Sequence, residues 1–133
     1  MSPSLSFWLG FSLLGITPLP TGTTRTADVE VRNVKVQGGI DRAIVERIAR
    51  HNRGSLRACQ RRHRNHGALA VGTLRVGWYL YNRRPAGAWI RGGSLRNPAL
   101  RRCVTRAVKR WEHPSPRCTA QISATFVFTT DEA

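Results

Sequence analysis

The sequence predicts an α+β fold: one small antiparallel sheet with two helices packed on one face. Three observations carry the prediction. Segments at the start, middle and end of the chain alternate apolar and polar residues with the period of a strand. Two intervening stretches repeat their apolar residues at helical spacing. Gly, Pro and Asn fall between these segments, where the chain has to turn. The resulting order is strand, helix, hairpin, helix, strand.

Each element has its own signal. In DVEVRNVKV, Val29, Val31, Val34 and Val36 sit among polar residues, and the alternation loses phase at Asn33. This predicts one short strand or two extended pieces, ended by Gly38-Gly39. From Ile40 to about Asn65, the residues Ile40, Ile44, Val45, Ile48, Leu56 and Cys59 share one helical face. Gly54 interrupts that helix at a cost of about 1 kcal/mol relative to Ala and marks a place to bend. Asn65-His66-Gly67 stops it. Leu69–Tyr81 reads as a strand whose core face is Ala70, Gly72, Leu74, Val76, Trp78 and Leu80. NRRPAG turns it into a partner strand, Ala88–Gly92, with Trp78 and Trp89 expected in the core. Asn97 is a good N-cap and Pro98 a favoured first helical residue. Leu100, Cys103, Val104, Ala107, Val108 and Trp111 form the stripe of that second helix, and Pro114 and Pro116 forbid its continuation. The last strand, Ala120–Thr129, places Ile122, Ala124, Phe126 and Phe128 on one face.

Charge is the dominant compositional fact. The 133 residues carry 22 Lys+Arg against 7 Asp+Glu, a formal charge of +15, with Lys35 and Lys109 the only lysines. A hydrophobic content of 41% separates the chain from a disordered polycation. The charge attracts acidic partners in general: nucleic acid, an anionic envelope polymer or a membrane surface. Its densest stretch, Arg42–Arg64, places Arg47, Arg50, Arg53, Arg57 and Arg61 on a solvated, basic helix face.

Three segments are expected. Residues 1–16 contain the uncharged run LSFWLGFSLLGI (5–16), short for a membrane span and suited to a signal peptide or short membrane anchor. The alternative is a greasy peptide packed on the domain. Residues 17–27 form a Pro/Gly/Thr linker, and 28–133 the domain.

The chain shows no paired carboxylates at helical spacing, nucleophile elbow, zinc-protease helix, P-loop or dinucleotide fingerprint, so no catalytic or cofactor-binding residue is assigned. Cys59, His63 and His66 have helical spacing, with His113 or Cys118 as remote additions. They read as helix-end residues, and no metal site is assigned. Arg75, Trp78, Tyr79, Tyr81, Arg83, Arg84 and Trp89 mix aromatics with cations, the composition of a base-stacking sheet. A small basic nucleic-acid-binding protein is therefore the alternative functional reading.

The strings GGIDRAIVERIARHNRGSLRACQRR, GTLRVGWYLYNRRPAGAWI and NPALRRCVTRAVKRWEHPSP, followed by a strand ending in FVF, resemble the AgmX/PglI-type C-terminal domain, a TonB C-terminal-like envelope module. The resemblance runs from about Val34 to Phe128. The chain departs from that pattern where Gln60 and Arg61 follow the first cysteine and where His113 precedes Pro114. The resemblance implies a non-catalytic module in the periplasm, free or anchored to the inner membrane. It implies envelope-protein partners, and more weakly a gliding-motility or envelope transport complex.

In such modules the last strand is an edge that accepts a partner's extended peptide, here through Ile122, Ala124, Phe126 and Phe128. The alternative is an edge already covered by the first strand. The resemblance also matches Cys59 and Cys103 to two cysteine positions of the family, and both lie toward the inner faces of their helices. They are a disulfide or two buried thiols. Cys118 is left over in a Pro-flanked loop.

Overall fold

The computed structural model describes residues 26–131. The expected leader and all of the expected linker before Thr26 lie outside the described residues. The last linker residues, Thr26 and Ala27, belong to the domain: they begin the first strand, and Ala27 is buried opposite Thr130.

The elements are β1 (Thr26–Gly38), α1 (Arg42–His51), α2 (Arg53–Arg62), β2 (Gly72–Leu80), β3 (Pro85–Gly92), α3 (Pro98–Lys109) and β4 (Ala120–Asp131). The strands form one open antiparallel sheet in the order β1-β4-β2-β3. The fold is α+β, as the sequence predicts, with three helices among the described residues where two are expected.

The extra helix arises at Asn52. Its backbone (φ −100°, ψ 15°) leaves the helical region. Its side-chain amide donates to the Ile48 carbonyl at 2.8 Å, closing α1. Its own carbonyl accepts from the Ser55 hydroxyl at 2.8 Å, opening α2. An Asn side chain competes with the backbone for such bonds, which is why it ends helices. Gly54, the expected bend, has no neighbour within reach of an added Cβ and is a bystander.

β1 is one strand with a bulge. Pairing with β4 runs from Thr26↔Asp131 to Arg32↔Thr125 and resumes at Lys35↔Ser123. Asn33 sits in the bulge at φ 51°, a left-handed conformation that Asn tolerates better than most residues. The phase slip in the valine pattern is this bulge. Gly38 closes the strand at φ +129° against the Thr119 carbonyl, where no side chain fits.

One sheet face carries Val29, Val31, Leu74, Val76, Trp78, Leu80, Ile122, Phe126 and Phe128, all buried. Val45, Ala49, Leu56, Leu100, Val104 and Val108 complete the core from the helices. Trp78 is its centre: its ring meets Trp111 edge-on at 5.7 Å and stacks with Phe126 at 6.5 Å. Such pairs add about 0.5–1.5 kcal/mol each beyond burial.

The Asn97-Pro98 signal is met as written. The Asn97 carboxamide oxygen accepts from the Ala99 and Leu100 backbone N–H groups at 2.9 and 3.3 Å. Asn97→Ala is expected to cost about 1 kcal/mol. Urea titration should show a lower midpoint with an unchanged slope; an unchanged midpoint would remove the cap from the account.

Candidate functional site

A sheet offers a partner its edges and its open face. The edges here are β1 and β3, because β4 pairs with β1 on one side and β2 on the other. This corrects the expectation that the last strand captures a peptide. Ile122, Ala124, Phe126 and Phe128 are at most 2% exposed, and the β4 backbone already has two partners. The alternative, an edge covered by the chain's own first strand, is what the structure has.

The two true edges differ. β1 carries Asp28, Glu30, Arg32 and Lys35 pointing outward, plus its bulge, the usual devices that discourage strand addition. β3 has the small residues Ala86, Gly87 and Ala88, with Arg91 as its single charge. It is the less charged edge, guarded only at its ends, by Pro85 and by irregular pairing with β2. Register slips between Arg75 and Val76 and between Tyr79 and Leu80 set off its regular central part.

The open face next to β3 is aromatic and basic. The Trp89 indole lies across Gly77, where an added Cβ would come within 2.8 Å of the ring. Gly77 is therefore there for space. Trp89 is 36% exposed, which corrects its expected place in the core. Trp89 follows Ala88, which packs on the core, so alternation sends its ring to the other side. Tyr79 and Tyr81 are exposed on the same hairpin, with ring centroids 6.0 Å apart in a T-shape. Lys35 and Arg91 line a shallow depression of about 230 Å³ floored by Gln121 and Ser123.

On the helical side, Cys59 and Cys103 form a disulfide with Cα atoms 5.7 Å apart, joining α2 to α3. Trp111 Nε1 donates to Ser55 Oγ at 3.2 Å, tying α2 to the segment just after α3. Cys59 sulfur is thus committed and is no metal ligand for His63 or His66. Cys118 is a free, exposed thiol. The expected basic face is divided by the break at Asn52: Arg47 and Arg50 ride on α1, Arg53, Arg57 and Arg61 on α2. Arg57 faces Asp28 of β1 at 3.7 Å.

Among the described residues two polar side chains, Gln60 and His113, are buried in the core, and both stand where the sequence departs from the resembled pattern. Gln60 Nε2 donates to the Ala70 and Thr129 carbonyls at 2.8 and 3.0 Å, bracing α2 against the sheet. His113 Nε2 accepts from Trp78 Nε1 at 3.3 Å, and its Nδ1 lies 3.2 Å from the Trp111 carbonyl. A ring that accepts at Nε2 and donates at Nδ1 is neutral. Burial holds the His113 imidazole below its ordinary value of 6.5, and hydrogen bonds to the backbone at Trp111 and Arg83 oppose this without reversing it. The unfolded chain therefore takes up the proton first as pH falls. Stability from this group is whole above about pH 6.5 and is lost as pH drops from there toward the folded value. Thermal melts from pH 7 to 5 should show a falling Tm in the wild type and a flatter profile in His113→Gln. Parallel profiles would exclude His113 as the cause.

The chain matches no protein-family model, no curated protein and no solved structure. Among the described residues no helix is long and apolar enough to cross a membrane. The disulfide fits an oxidising compartment outside the cytoplasm.

Proposed function

We propose that this chain is a non-catalytic binding module of the cell envelope, of the AgmX/PglI (TonB C-terminal-like) type, exposed to the periplasm. In this reading it takes an extended peptide of a partner protein by strand addition. The observation that supports it is the β3 edge: a regularly paired stretch, Gly87–Ile90, without charge and with small side chains beside the exposed Trp89 and tyrosines. A peptide strand satisfies the unpaired N–H and C=O groups of such an edge, and aromatic neighbours give it area to bury. The disulfide supports the compartment.

The test uses proline. Successive residues of an edge strand direct their N–H groups alternately to the sheet and to solvent. Of Gly87→Pro and Ala88→Pro, the one that leaves the Tm closer to wild type has lost the outward N–H. That variant should fail to recover the envelope proteins that the wild type retains. Recovery of the same proteins would overturn strand addition at β3. A leader-bearing fusion found only in the cytoplasm, with Cys59 and Cys103 reduced, would overturn the envelope reading.

A second reading rests on the open face. Trp89, Tyr79 and Tyr81 with Arg75 and Arg91 could stack single-stranded nucleic acid. A gel shift with single-stranded DNA persisting at physiological salt, and lost in Trp89→Ala, would favour it.

A further inference from the structure

The seam between α2 and α3 is a groove of about 550 Å³. Its rims are basic: Arg62 on α2, and Arg102, Arg106 and Arg110 along α3 and its C-terminal cap. Its floor is small and apolar, with Ala58, Ala99 and Ala107 beside the Cys59–Cys103 bridge. No carboxylate lines it. Among the described residues none of these four guanidinium groups has an acidic partner within 4.0 Å, whereas Arg32, Arg42, Arg57 and Arg84 each have one. Arg62 instead reaches over the bridge, with Nη1 3.8 Å from Cys103 Sγ.

The groove therefore concentrates positive charge that the chain itself does not neutralise. Arginines are the residues best suited to hold carboxylates in a bidentate fork. Arg102, Arg106 and Arg110 recur every four residues, so they climb α3 in steps of about 6 Å. Alternate side chains of an extended peptide are about 6.6 Å apart. A strand with an acid at every second residue would place its carboxylates in register with this row and its backbone over the alanine floor. Bases are poorly served: the one Trp in the lining, Trp111, is 3% exposed and offers no stacking surface.

We infer that the α2–α3 groove is a second binding site, independent of the β3 edge, for an extended acidic peptide segment of a partner protein, with carboxylates at alternate positions. The disulfide holds the two helices together beneath the groove.

Fluorescence anisotropy on the oxidised full chain tests this with a labelled peptide of alternating Ser and Glu. The triple variant Arg102→Gln/Arg106→Gln/Arg110→Gln should bind at least about tenfold more weakly than wild type. Arg47→Gln/Arg50→Gln/Arg61→Gln removes the same charge from the outer helix faces and should stay within about twofold. Arg102, Arg106 and Arg110 line the groove and Arg47, Arg50 and Arg61 do not; far-UV circular dichroism of both triples controls for folding. Equal weakening in the two triples means general charge attraction and overturns the site. So does tighter groove-dependent binding of an oligonucleotide or polyphosphate of equal charge, or absence of peptide binding even at low salt. Because the readout is a defined peptide and no β3 residue lines the groove, failure here leaves the strand-addition reading standing, and the reverse.

Discussion

Replacing Cys59 and Cys103 together by Ala is expected to lower the stability of this domain by about 4 kcal/mol. The bridge spans a sequence separation of 44 residues, and in the chain-entropy relation a loop of that length restricts the unfolded chain by about that amount. The loop contains β2, β3 and their hairpin, so the cross-link fastens the two helices across half of the sheet. Against the usual net stability of about 5–15 kcal/mol, the loss is large. The Tm should fall by about 15 °C or more. Urea denaturation of three samples checks this: oxidised wild type, reduced wild type and the double variant. The last two should agree with each other and unfold well before the first. If oxidised and reduced protein unfold together, the bridge does not hold the fold, and its support for an oxidising compartment goes with it. A surviving fold with weakened peptide binding on reduction would separate the role of the bridge in the groove from its role in stability.

The bridge also shows what kind of information a linear sequence carries. Cys59 follows Leu56 and Cys103 follows Leu100 at helical spacing, so both inward positions could be read from local periodicity. The same holds for the Asn97 cap, for the core face of β2 and for the bulge at Asn33, which announces itself as a slip in the valine pattern. These are properties of neighbouring residues. The order of strands is not. Alternation in AQISATFVFT says which residues face the core, and it is silent on whether the strand has one neighbour or two. Ile122, Ala124, Phe126 and Phe128 look the same in either case. The rim of the groove is another non-local property: Arg62 and Arg106 line one groove only because two helices distant in sequence are packed together. Arg47, Arg50, Arg53, Arg57 and Arg61 are dense along the chain, but the break at Asn52 divides them between two helices. The side taken by Trp89 is hidden for a smaller reason. In AWIRG both Trp89 and Ile90 are apolar, and a two-residue apolar pair does not state which member faces in.

The position of β4 makes a sharp prediction about proline. Val127 pairs with Glu30 of β1 and with Thr73 of β2, in regular register on both sides. Its side chain lies on the open face and is only partly buried, so replacing it removes little packing. Val127→Pro nevertheless deletes a ladder N–H and inserts a ring between two paired strands, where Pro is essentially never found. The expected cost is about 3 kcal/mol or more, because a carbonyl on a neighbouring strand loses its donor inside the sheet. The variant should accumulate poorly and melt well below wild type. At the β3 edge, the better tolerated of Gly87→Pro and Ala88→Pro should melt within a few degrees of wild type, about 1 kcal/mol or less in stability, since only a solvent-facing N–H is lost. The contrast decides how any binding result is read. A proline in β4 that abolishes partner capture reports unfolding, whereas the tolerated proline in β3 reports the edge itself. If Val127→Pro folded with wild-type stability, β4 could not be an interior strand, and the order β1-β4-β2-β3 would have to be abandoned.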